Sequence, residues 1–520
     1  GGGIFAASAL TLTNVAVRGN TAVQDGGGIY ASSAPSLTNV SVLGNTASQS
    51  GGGLYLHKAS TLSGGLYQGN EAAAGGAIYA AGALTLTDSS IVSNVAGWGG
   101  GVYGMGALSV ESASVLSNTA TESGGGVYTP AGATVTGGLF QANVAANTAA
   151  IDEGGGGGLY ALAPVTMVDA QFVGNSVSGQ GSGGAAYIYA TLTLTNVQFL
   201  TNTVALTSTA GGGGAYAAGD ITASGGRFQA NDCAGDGCQG GALFASGALT
   251  MTDARVEENQ AADAGGGVAA TGDVSIRGGV IQGNRSTGST GGGAASTTGA
   301  LTLTNVEVLS NTAAGNGGGL FTQLGDVTIA GGRVQGNACT DPACEGGGVF
   351  AYYTLWISGT QLIGNISDWY GGGASGLDTT VIDAVFRGNG CTGTDCACGG
   401  LAIFGSMAVT GTQFIDNAAD YGGGLCQAAT TGGRVVNTLF ARNTGRINAA
   451  AAYLDIGEPV DILYTTVASP TIGANAAIVV SGTVNITNTI VASYTTGIAV
   501  AAGPVTSDYN LFYNAPTSEI

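Results

Sequence analysis

One asparagine recurs through this chain like a ruler mark. It falls at Asn20, Asn45, Asn70, Asn94, Asn118, Asn143, Asn175, Asn202, Asn231, Asn259, Asn284, Asn311, Asn337, Asn365, Asn389, Asn417 and Asn443, at spacings of 24 to 32 residues. A second mark keeps step with it. After a short polar loop comes a glycine box, Gly-Gly-Gly or Gly-Gly-Ala, at 26–28, 51–53, 75–77, 99–101 and onward to 422–424. Self-similarity at such a period means one structural unit stacked on copies of itself. The length of 520 residues therefore does not translate into several globular domains.

Between the marks the apolar residues alternate with threonine. Leu84-Thr85-Leu86-Thr87 and Leu301-Thr302-Leu303-Thr304 are the cleanest cases. A period of two over three to five residues predicts short strands with one buried face. Three such strands in each 25 residues, stacked in parallel, predict an all-β, single-stranded parallel β-helix (a β-solenoid) of about 20 rungs. At one strand spacing per rung this would be about 95 Å long. Gly-Asn at the corner suits a turn of positive φ. The ladder Asn20, Asn45, Asn70, Asn94, Asn118 is expected to pass amide hydrogen bonds from rung to rung. Residues 1–445 carry the box and the asparagine. Residues 446–520 lose both but keep strand patterning, and read as plainer rungs with a tail from Ala515. The chain opens directly on a box and is expected to begin mid-pattern.

Charge narrows the partners. Lys plus Arg number 11 against 31 Asp plus Glu, giving a net charge of −20. With one lysine and no basic patch, no nucleic-acid partner is expected. No long apolar run interrupts the repeats, so no membrane insertion is expected in this segment. Disorder is not expected either, because 44% of residues are apolar and stand in register.

Three cysteine pairs share one spacing and one place, between the asparagine and the next box: Cys233 and Cys238, Cys339 and Cys344, Cys391 and Cys396. Local disulfides are the simple reading, with an extracellular or cell-surface setting. Zinc bound by two pairs is the alternative. Cys398 and Cys426 lie in different columns and would need a register shift to bond directly.

A chemical site is hard to assemble from the remaining residues. Asp25, Glu71, Glu122, Asp152, Glu153, Asp232, Asp236 and Asp263 are scattered in loops, as solvated charge. No clustered pair stands out for acid/base work on a polysaccharide, so no catalytic residue is assigned and the chain is read as a non-enzyme. No calcium motif appears, although stacked acidic loops could hold calcium weakly; no cofactor or metal is expected. Arg227, Arg255 and Arg333 share a column and read as separate surface residues. The Asn-x-Ser/Thr sequons at Asn39, Asn284, Asn365 and Asn485 are weak signals in so Asn- and Thr-rich a chain.

The most suggestive surface feature is another column. Two residues past each box stand Phe5, Tyr30, Tyr55, Tyr79, Tyr103, Tyr128, Tyr160, Tyr187, Tyr216 and Phe244. The same count then gives Ala269, Ala295, Phe321, Phe350, Ser375, Ile403 and Cys426. The preceding residue is aliphatic, and neighbours on a strand face opposite ways. If the aliphatics point inward, the aromatics form an external stripe, a contact surface for glycan or for a second copy. The alternative is that the rings point inward or lie under adjacent loops.

The paired boxes also resemble a known family. Phe140-Gln-Ala-Asn143, Phe172-Val-Gly-Asn175, Phe199-Leu-Thr-Asn202, Phe228-Gln-Ala-Asn231, Phe386-Arg-Gly-Asn389, Phe414-Ile-Asp-Asn417 and Phe440-Ala-Arg-Asn443, all but the last followed by a Gly-Gly box, are similar to the repeat of the chlamydial polymorphic outer membrane proteins. The likeness covers residues 1 to about 445. It implies a right-handed parallel β-helix at a bacterial surface, often as an adhesin. Three functional expectations follow. The leading one is a noncatalytic extracellular structural protein, a cell-surface or filament-forming solenoid that self-associates end to end or laterally, because stacked strands leave open edges. The second is an adhesin binding glycans through the aromatic stripe. The last is a polysaccharide lyase or hydrolase.

Overall fold

The structure is a computed structural model of the whole chain. It describes residues 1–148, 154–205 and 211–514, with the backbone alone at 471–474. Asp152, Glu153 and the tail from Ala515 lie outside the described residues. All regular structure there is strand, and every strand pairing is parallel. The protein is a parallel β-solenoid of about 18 turns with about 26 residues per turn. It forms two compact units: one of Gly1–Ala262 with Gly267–Thr271, the other of Asp263–Gly266 with Gly272–Ile520. The change of pattern near residue 446 falls inside the second unit.

A turn holds four strands where the sequence pattern suggests three. In one turn of the first unit they are Ile78–Ala80, Leu84–Thr87, Ser90–Val92 and Val95–Trp98. The fourth is the addition, and in most turns it is only two residues long, as at Thr119–Ala120. Its short polar sequence carries no alternation to reveal it, and only pairing with the turns above and below makes it a strand. Register places like on like: Leu84 opposes Leu108, and Leu86 opposes Val110. Leu84, Leu86, Ile91 and Val102 are buried, while the threonines between face outward. Phe140 and Phe172 stack in the interior at 4.4 Å, as do Phe414 and Phe440 at 4.9 Å. Columns of matched apolar side chains are thus the core, and each turn is stabilised by its two neighbours.

The corner works differently from the simple Gly-Asn turn. The repeating asparagine itself is not in the left-handed region. The residue before it is, whether glycine (Gly44, φ 59°), serine (Ser117, φ 54°) or alanine (Ala142, φ 53°). The asparagine is buried instead. Asn118 Oδ1 accepts from Asn94 N and Nδ2 at 3.0 and 2.9 Å, and its Nδ2 donates to Ile91 O and to Asn143 Oδ1, both at 2.9 Å. The same set of bonds links the asparagines within each unit, for example Asn202 to Asn231 and Asn389 to Asn417. Backbone groups released by the bend find partners there, as buried polar groups must.

The box then brings the chain across the neighbouring turn. A Cβ on Gly100 would stand 2.4 Å from both Gly125 O and Thr119 O. No side chain fits at that middle position. The third position is looser, and Ala77 occupies it fully buried. This is the steric origin of the Gly-Gly-Gly and Gly-Gly-Ala alternatives.

Candidate functional site

The aromatic column is the longest ordered surface feature of the first unit. Its aliphatic neighbours Ile29, Leu54, Ile78 and Val102 are fully buried, so the rings point outward. From Phe5 to Phe244 they stack at centroid separations of 4.7 to 5.7 Å, close to the strand spacing.

Along the column the cover changes. Phe5 is 65% exposed, and Tyr30, Tyr55, Tyr79, Tyr103 and Tyr128 are half-buried. Tyr160, Tyr187, Tyr216 and Phe244 are buried, Tyr187 with 1% of its surface left. These four are therefore not open contact residues. Their rings continue the same outward stack, so something lies over them. The loop between asparagine and box holds four or five residues in the turns of Tyr30 to Tyr128, and seven to twelve in the turns of Tyr160 to Phe244. Among the half-open rings, Tyr128 meets Trp98, the last residue of the strand Val95–Trp98, edge-on at 5.4 Å. Loop length was the sequence signal that separates the covered rings from the open ones.

Burial pushes up the phenols of Tyr55, Tyr79 and Tyr103. Tyr79 is pushed up by burial and then by the charge of Asp25; Tyr103 is pushed up to about 12 by burial and then by Tyr128 and Tyr79. The open rings thus offer neutral faces and hydroxyl donors at ordinary pH. They can stack on a flat apolar face, such as that of a sugar ring.

In the second unit the column follows a different count from the one read off the sequence. Ser296, not Ala295, opposes Phe321, and Ala402, not Ile403, opposes Ser375 and Cys426. In both turns the box is displaced by one residue. Cys398 takes its first position, with φ 66°.

That displacement explains the cysteines. Cys233–Cys238, Cys339–Cys344 and Cys391–Cys396 are bonded within their loops. Cys398 and Cys426 are also bonded, across adjacent turns, with Cα atoms 5.2 Å apart. Their different columns are no obstacle. A Cβ at the first box position aims at the aromatic column: at Gly124 it would come 2.9 Å from the Tyr128 Cβ. Where the column residue is as small as Ala402, a cysteine fits and reaches the next turn.

The charged residues mostly serve the backbone and one another. Arg227 and Arg255 are not separate: they oppose each other and share Glu257, at 2.9 and 2.5 Å, while Arg333 pairs with Glu307 at 2.9 Å. Asp25 accepts from Ser50 N, and Asp263 from the Thr290 hydroxyl. A further acidic column was missed in the sequence. Asp220, Asp326 and Asp378 each accept the backbone N of a residue one turn on, at 2.8 to 3.0 Å. The signal was an Asp shortly before the second strand, hidden among many loop acids. Among the described residues no group of three or more His, Cys, Asp or Glu could hold a metal. Asn284 and Asn365 are buried in the ladder and cannot accept a glycan in the folded chain; Asn39 is exposed.

Against known proteins the chain matches no family model, no curated relative and no solved structure. Fold and site define its class: a disulfide-bonded parallel β-solenoid repeat protein.

Proposed function

We propose that this protein is a noncatalytic extracellular structural solenoid, of the surface type that its paired boxes resemble, and that it self-associates. The observation that carries this reading is the buried asparagine ladder of each unit. Side chains of the most repeated polar residue go into holding one turn to the next. Disulfides at four places suit an oxidising setting outside the cell. Electron microscopy of native material tests it. Continuous assemblies of joined copies are the expected result, and isolated single particles at all concentrations would overturn self-association.

A second reading has its own observation. The half-open rings Tyr30 to Tyr128 form a continuous stripe in register, suited to stacking on a glycan. On this reading Tyr55→Ala with Tyr79→Ala abolishes retention on a glycan array, and unchanged retention sinks it.

A further inference from the structure

In the second unit the aromatic column breaks. Register runs from Phe350 through Ser375, Ala402 and Cys426 before a ring returns at Tyr453. Where that position holds no ring, Cys426 borders a hollow of about 290 Å³. That size lies at the small end for ligand pockets.

The fold determines what surrounds it. The Cys398–Cys426 bond and Tyr453 form the floor. One wall is a column of Tyr370, Ala397 and Tyr421, which bridge in sequence from turn to turn. Phe404, its ring edge-on to Tyr370, and Ala428 and Asp455, which oppose each other between turns, also line it. Asp395 completes the rim. The rings do not fill the space by stacking on one another. Tyr370 and Phe404 meet at 83°, and Tyr421 and Tyr453 at 65°. Faces and edges therefore border a corner instead of forming a flat platform.

The electrostatics have one sign. No lysine or arginine lines the hollow, and Arg446 is taken up by Asp420 at 2.6 Å. Neither Asp395 nor Asp455 makes an ion pair among the described residues. Burial, and next the charge of Asp455, push the Tyr453 phenol up, so that carboxylate is felt at the ring. Aromatic faces attract cations through their quadrupole, and carboxylates at the rim add to the attraction. An anion would find neither.

We propose that this hollow binds a small alkylated ammonium group, with a quaternary ammonium head enclosed by Tyr370, Phe404, Tyr421 and Tyr453 and its charge balanced by Asp455 and Asp395. Ala397 and Ala428 are small where the site needs room. This assignment is independent of the structural role proposed above.

Calorimetric titration of the full chain tests it with three probes: choline, its uncharged isostere 3,3-dimethylbutan-1-ol, and N-acetylglucosamine. Choline is expected to bind, with the isostere about tenfold weaker. Asp455→Asn and Tyr453→Leu are each expected to weaken choline at least about fivefold. Asp455 is exposed, so its variant folds as the parent does; Asp395→Asn repeats the test on the rim. Equal affinity for the isostere, tighter binding of the sugar, or no choline binding up to about 10 mM would each overturn the proposal.

Discussion

Two kinds of turn coexist in the second unit, and they close their corners in opposite ways. In a boxed turn such as that of Asn389, the third strand stops, a buried asparagine takes over, and a short strand leads to the glycines. In the turns after residue 466 the chain does not stop. Thr466–Ser481 and Ile490–Ala502 each run through the corner as one strand, and their pairing absorbs the bend by register shifts near Gly473 and Ala476. Tyr494 and Ile498 fill the interior there. The comparison shows what the box and asparagine are for. A sharp corner leaves backbone groups without ladder partners, and the asparagine supplies them. A gradual corner keeps part of the ladder through its register shifts, and Asn475 there bonds Gly445 O instead of a stacked asparagine.

The sharpest way to break this contrast is to remove the amide. Asn118→Ala deletes two acceptor and two donor interactions in a dry site. Each buried group left unpaired costs about 1–3 kcal/mol, so a loss of roughly 4 kcal/mol or more is expected. It is measured as lost hydrogen-exchange protection in the turns of Asn94 and Asn143. Asn485→Ala, in a gradual turn, removes only a bond to Asp461 at 2.9 Å and is expected to cost less than about 1 kcal/mol. Similar losses at both positions would show that the ladder is not what holds the sharp corners.

The cysteines give the second contrast. Cys398–Cys426 joins residues 28 apart, while Cys339–Cys344 closes a separation of 5. Loop-closure entropy predicts that Cys398→Ser with Cys426→Ser costs about 3.5 kcal/mol, and Cys339→Ser with Cys344→Ser about 2 kcal/mol. Denaturant melts of the second unit's strands compare them. If the local pair matters as much, the cross-turn bond is not acting as a staple between turns.

Much of this architecture was legible in the sequence because its causes are local and repeated. Leu84-Thr85-Leu86-Thr87 announces a strand by alternation, and the Gly-Gly boxes announce close approach of backbone. The loop disulfides follow from one repeated spacing. What escaped notice depends on three-dimensional displacement. Cys398 pairs with Cys426 because the box slips by one residue there, which also moves Ala402 into the aromatic column. The hollow beside it is lined by residues from several turns, such as Tyr370, Tyr421 and Tyr453, that are far apart in the chain. Arg227 and Arg255 meet at Glu257 for the same reason. The burial of Tyr160 to Phe244 was legible only in loop length, a property of the neighbouring segment and not of the rings.

Glycine before the asparagine is a gentler probe. A Cβ on Gly44 would meet nothing within 4 Å, but φ is 59°. Gly44→Ala is expected to cost only about 1 kcal/mol, the left-handed penalty alone. Ala142 and Ala230 already hold that conformation in other turns. A loss of several kcal/mol in a melt of this variant would mean that the position has a packing role that its open surroundings do not suggest.

The smallest effect is expected from alkali, and it separates the half-open rings from fully exposed phenols. Tyr103 is held up to about 12 by burial first and by Tyr128 and Tyr79 next, against about 10 in an unfolded chain. The folded state therefore keeps a proton that the unfolded state gives up. Stability is intact below pH 10, falls as pH rises between 10 and 12, and has lost this contribution above that. Absorbance at the phenolate band is expected to rise in two phases. Tyr103 and Tyr494, the latter also pushed up to about 12 by burial, belong to the last. Tyr103→Phe should remove part of the late phase and flatten the alkaline loss of stability. If the late phase is unchanged in that variant, the ring at 103 is more open to water than its place in the stack implies, and the column would be a looser surface than the corners that hold it.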